Sequence, residues 1–281
     1  ISACLVGSEM CIRDSLESGS DSGERAKDFL EEFVRSASIF EVFGKTLVTG
    51  GAAAPWKELV PKSRWHQQKF DEISWTIYGI LVSGAAQPLM LLLALMRKYL
   101  ANDGWMKSAD LTAFLREIKN YQFRWSIAGK GSTSTHRRLY RKAATRVSLA
   151  QNSGDLRSAM REFCDGASKK GATDPQFKAG LSKLVYSNTR KKDVYKIRYV
   201  LREIETNKST RSLDFSRLQT IEHIEPQARK SESTPRNSWV FKLGNLMLLP
   251  SDVNSTLPDS FPEKAPCLLY TSPSPRDRQK S

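Results

Sequence analysis

Thr220-Ile-Glu-His-Ile-Glu-Pro-Gln227, followed by Leu243-Gly-Asn-Leu-Met-Leu-Leu249 and then by Asn254, is the stretch around which the chain is organised. Leu213 to Ile221 is short and mixed, and suits an irregular approach that becomes a strand at Ile221. Leu243 to Leu249 is a second short apolar run with a glycine inside it, and Pro250-Ser-Asp supplies a cap for a last helix bearing Val253, Asn254 and Leu257. The order is therefore strand, long loop, strand, helix. In a regular strand Glu222 and His223 point to opposite faces. If the two act together, the strand has to end or twist there, and Pro226 makes that reasonable.

Upstream, apolar residues recur at helical spacing. Phe29, Leu30, Phe33, Val34, Ile39, Phe40 and Phe43 predict a helix ending at Gly44, and Thr49 to Pro55 reads as a loop. Ile73 to Met96 contains no charged residue and is long enough to span a bilayer. Gly84-Ala-Ala-Gln-Pro88 interrupts it, so it reads as two buried helices with Pro88 in a first-turn position. Ser108 caps a helix that runs on into Tyr121-Gln-Phe-Arg-Trp125. Gly129 to Thr135 reads as a flexible link, and a helix from Leu139 to Leu149 comes next. Asp155, Asp174 and Asp193 each stand where an N-cap would open a further helix. Lys208-Ser-Thr-Arg-Ser212 is a polar linker. The predicted class is mainly α: a helical body over 16–207, then a small α+β module over 208–266.

Of 281 residues, 40% are hydrophobic, which supports a core. The formal net charge is +14, from 44 Lys+Arg against 30 Asp+Glu. A balance this basic suits a polyanion, because each Lys or Arg set against a phosphate releases condensed counterions. Arg137, Arg138, Arg141, Lys142 and Arg146 share one predicted helix and form a candidate DNA-contacting face, with a merely solvated face as the plain alternative. Residues 1–15 and 267–281 resemble translated sequencing-adapter sequence and are set aside. That leaves Cys164 as the body's one cysteine, too few for a disulfide or a CxxC zinc site, which points to a reducing, cytoplasmic setting.

Phosphodiester hydrolysis needs a base for water, a cation for the scissile phosphate and a means of orienting the base. Histidine is the natural base near neutral pH. Of His66, His136 and His223, only His223 sits beside an acid and close to a proline. Glu222 and the amide of Asn254 offer the hard oxygens that magnesium prefers.

The arrangement resembles the HNH, or ββα-metal, nuclease finger, whose first strand ends in an acid-His-x-x-Pro pattern. It is most similar to the finger at the C-terminal end of GmrSD-type modification-dependent restriction endonucleases. The matching pieces are Ile221 to Gln227, Trp239, Leu243 to Leu249, Asn254 and Phe261-Pro-Glu-Lys264. Tyr121 to Lys130 is similar to the family's aromatic-Arg-Arg-x-x-x-Gly segment, with Trp125 in place of the second arginine. The resemblance implies a metal-dependent DNA endonuclease acting in defence against foreign or modified DNA. His223 would be the general base, and Glu222 and Asn254 would hold magnesium or manganese. Asn245 would brace the loop between the strands and so orient His223. Trp239 and Phe241 would belong to the finger's core. Two departures stand out: Glu222 replaces the Asp of many HNH fingers, and Asn254 replaces a second His. The resemblance also implies a longer parent protein with an N-terminal NTP-using domain. The rival reading is a non-catalytic DNA-binding or partner-recruiting helical scaffold with a degenerate finger.

Overall fold

The computed structural model describes residues 22–101, 104–129, 133–187, 189–208, 219–225, 239–258, 260 and 262–266. The two adapter-like tails, most of the polar linker, Pro226, Gln227 and Phe261 lie outside the described residues. The chain divides into two compact units. One is drawn from 1–81, 86–120 and 132–169; the other from 82–85, 121–131 and 170–281. The module boundary expected at 208 falls inside the second.

The first unit is helical: α1 (Ser22–Val48), α2 (Gln67–Leu81), α3 (Leu89–Leu100), the first part of α4 (Ser108–Ala128), α5 (Thr133–Leu149) and α6 (Ser153–Ser168). Helix α1 packs on α2 and α3, and α5 packs on α3 and α6. The apolar stripes foreseen in the sequence supply the core, among them Ile39, Phe43, Ile77, Leu95, Phe114 and Leu115, all at most 2% exposed. Helix α1 does not stop at Gly44. It runs to Val48, and the stop comes from Gly50 and Gly51, both at positive φ. A helix tolerates an interior glycine at about 1 kcal/mol against alanine, whereas left-handed backbone ends it. Gly51 is also sterically required, since a Cβ there would come within 2.8 Å of the Trp75 ring. The uncharged stretch forms α2 and α3, separated by Gly84 at φ +71 and by Pro88, as expected. Among the described residues no helix is long and apolar enough to cross a membrane.

Several helix starts differ from those expected. The N-cap of α6 is Asn152, whose Oδ1 accepts from the backbone of Gly154 and Asp155. Asp155 sits inside the first turn and accepts from Gln151 N–H. Thr133 to Thr135, expected in the link, open α5. His136 on that helix is 1% exposed and packs edge-on against Tyr140; burial pushes its pKa down to about 4.

The second unit is built from the end of α4, α7 (Asp174–Leu181), α8 (Lys191–Lys208), strands β1 (Gln219–His223) and β2 (Leu246–Pro250), α9 (Ser251–Asn254) and a helical turn at 262–266. The cap of α7 is Thr173 in a capping box with Gln176, not Asp174. Asp193 likewise lies in the first turn of α8 and not at its cap. The last turns of α4 anchor α7 and α8. Phe123 packs against Phe177 and Tyr199, Arg124 pairs with Asp174 and donates to the Ala172 carbonyl at 3.0 Å, and Lys196 Nζ donates to the Ser126 carbonyl at 3.3 Å. Gly180 of α7 lies against the Ile127 carbonyl so closely that no Cβ would fit. Strands β1 and β2 pair antiparallel from Gln219↔Pro250 to His223↔Leu246. Helix α8 packs against β2, and α9 packs against both strands. The whole is mainly α with one small α+β region, the class read from the sequence.

Candidate functional site

Strand β1 places two functional side chains by simple alternation. Ile221 and His223 are buried on one face, at 7% exposure each, while the Glu222 side chain between them retains 18%. The strand ends at His223, and residues 224–225 bend away. The stop follows the pair and does not fall between its members, so Glu222 and His223 keep the alternation of a regular strand.

Asn245 fixes the chain beyond this bend. Its Oδ1 accepts from Glu225 N–H at 2.9 Å, and its Nδ2 donates to the carbonyls of Glu225 at 3.2 Å and Val240 at 2.9 Å. Its own carbonyl accepts from Ile224 N–H at 2.9 Å. One 5%-exposed amide thus ties the chain just after His223 to the segment that leads into β2. The ring of His223 stands edge-on to Tyr186 at 5.3 Å and to Phe241 at 6.0 Å. Burial among these groups pushes its pKa below the ordinary value; the Glu222 charge opposes that shift and the Lys264 charge adds to it. The result is an imidazole held neutral near neutral pH, the form that accepts a proton.

The Glu222 carboxylate is paired through Oε1 with Lys264 Nζ. Lys264 is itself 4% exposed and lies on the turn at 262–266. Asn254 closes α9, the short helix packed on both strands, and its Oδ1 is buried with no hydrogen-bond partner among the described residues. A buried amide oxygen left without a donor is costly, and a hard cation is one group that would satisfy it. The donor types, one carboxylate and one amide oxygen, fit magnesium or manganese better than zinc. Among the described residues no group of three or more His, Cys, Asp or Glu could hold a metal, so any site here depends on the amide.

Two neighbours went unassigned in the sequence. Lys264 ends the Phe-x-x-Lys piece, which carries it without a role. Tyr186 gives no motif signal, and it reaches the site because its N–H donates to the Phe241 carbonyl at 2.9 Å, beside a bridge between Val185 and Lys242. Trp239 is not core: it is 55% exposed, and Val240 takes the buried position. The short 3₁₀ turn Trp239–Phe241 turns adjacent side chains to different sides, which motif order alone does not reveal.

Arg137, Arg138, Arg141, Lys142 and Arg146 belong to the first unit and are all exposed on α5. Lys142 and Arg146 share Glu162 at 3.2 and 3.1 Å. Arg138, Arg141, Lys142 and Arg146, with Thr145, line an open concavity of about 480 Å³.

Residues 172–279 match the family described as GmrSD restriction endonucleases, C-terminal domain, so this stretch is similar to that domain, in agreement with the resemblance read from its ordered motif. The match begins just before α7 and takes in both strands. Comparison with curated proteins and with solved structures returns no match.

Proposed function

We propose that the second unit is the nuclease part of a metal-dependent DNA endonuclease of HNH type, acting in the cytoplasm against foreign or modified DNA. The observation that carries this reading is the position of His223. It closes β1 beside Glu222, its ring is buried, which lowers its pKa, and the backbone just beyond it is held by Asn245. A neutral imidazole accepts the proton of an attacking water as that water adds to phosphorus. Asn245 keeps the backbone carrying the base in register, and Tyr186 and Phe241 limit the ring's rotation and its access to bulk water. Glu222 and Asn254 would hold magnesium or manganese through their oxygens. Such a cation supplies charge at the scissile phosphate and at the leaving oxygen. The exposed arginines of α5 would engage phosphates without reading sequence. An N-terminal NTP-using domain in the parent protein belongs to the same proposal.

A second reading is favoured by one observation. The Glu222–Lys264 pair leaves a required carboxylate already neutralised, as a degenerate finger serving only as a DNA-binding scaffold would have it. Metal-dependent cleavage of duplex DNA by the full-length protein, compared with His223→Ala, separates the two. Cutting should fall by at least about two orders of magnitude, the usual contribution of a general base. DNA affinity should stay unchanged, because the imidazole acts on water. Undiminished cutting by the variant would remove His223 from the mechanism.

A further inference from the structure

A lysine ammonium is among the groups least often buried, and it stays buried only when paired. Lys264 is 4% exposed, and its partner is the Oε1 atom of Glu222, 42 residues away in sequence. The turn at 262–266 is short, and the Lys264 N–H donates to the Ser260 carbonyl at 2.9 Å, which anchors the backbone from which the ammonium reaches Glu222. Among the described residues the second Glu222 oxygen makes no hydrogen bond or ion pair, and the Asn254 amide oxygen is buried without a donor. A fixed positive charge therefore sits on one of two oxygen-bearing side chains that otherwise suit a hard cation.

We propose that Lys264 is a built-in competitor for the divalent cation at Glu222: the ammonium and the metal contend for one carboxylate, and entry of the metal releases the lysine. This rests on the nuclease reading above, which places a cation at Glu222 and Asn254. Lys264 is then a positioning residue that sets how tightly the site holds metal. With a single carboxylate and a neutral amide as ligands, affinity is modest at the outset. A unit positive charge on the carboxylate lowers it further, by simple Coulomb repulsion.

The test is Mn²⁺ binding to the whole chain, read by electron paramagnetic resonance without DNA, for the parent, Lys264→Met, Lys264→Arg and Glu222→Gln. Methionine keeps the volume and removes the charge, so Lys264→Met should bind Mn²⁺ about tenfold more tightly. Arginine keeps the charge and should stay within about threefold of the parent. In a Glu222→Gln background the difference between Lys and Met should vanish. Tighter binding by Lys264→Met, with or without measurable binding by the parent, supports the competition. If the parent binds Mn²⁺ and Lys264→Met binds no more tightly, competition is wrong and the nuclease reading survives. If no variant binds, both fall. Should Lys264→Met fail to fold, the parent gives a second readout, the rate of reductive methylation of Lys264. Saturating Mn²⁺ should raise that rate at least about threefold by freeing the ammonium from its ion pair. An unchanged rate overturns the proposal.

Discussion

Asn245 serves as both donor and acceptor for two backbone segments that no strand joins, and only an amide can do this in one plane. Removing it leaves the Glu225 N–H and the Val240 carbonyl without their partner in a largely buried place. Asn245→Ala should cost about 2–3 kcal/mol of stability, the usual penalty for stranded buried polar groups, measured by urea unfolding. Asn245→Asp should be no better, because it sets a carboxylate against two carbonyls. At this scale the sequence was informative wherever residues lie in one ordered motif. The candidates His223, Glu222, Asn245 and Asn254 all come from that motif, since their spacing reflects strand, turn and helix lengths. The pairing of Lys264 with Glu222 and the approach of Tyr186 to His223 were not legible there, because both depend on how distant segments dock.

Between elements, α7 meets the end of α4 closely at Gly180. Gly180→Ala would drive a methyl group into the Ile127 carbonyl, a backbone atom that cannot swing aside. The expected loss is about 1–3 kcal/mol, typical of overpacking, seen as a lower denaturation midpoint with an unchanged slope. A helical glycine elsewhere in this chain, such as Gly44, has open space around its missing Cβ, and alanine there should be neutral or stabilising. The helices themselves were legible from apolar periodicity, and so were the two strands. Their ends were less so. Asp155, Asp174 and Asp193 are favourable in a first turn because they meet the positive end of the helix dipole, and so each imitates a cap. The true caps of α6 and α7, Asn152 and Thr173, are distinguished by their hydrogen bonds.

For the molecule as a whole, a formal charge of +14 matters chiefly through salt. If Arg137, Arg138 and Arg141 each meet a phosphate, replacing all three with alanine should reduce the slope of log affinity against log salt by about 2–3. Sequence preference should not move, because these contacts are to the backbone. Titrating a labelled duplex at several salt concentrations decides it; an unchanged slope would make α5 a solvated face. A different consequence comes from the way the second unit is gathered from three separate stretches of chain. Arg124 leaves the ribosome 50 residues before Asp174, its ion-pair partner. The Ser126 carbonyl waits 70 residues for Lys196. At ordinary translation speeds these gaps last roughly 3–14 s. Phe123 waits 54 residues for Phe177 and 76 for Tyr199, the two rings that cover it. The nascent chain thus carries an uncovered aromatic from a unit that cannot yet close, which makes this interval, more than any later one, the time at which a chaperone would be needed.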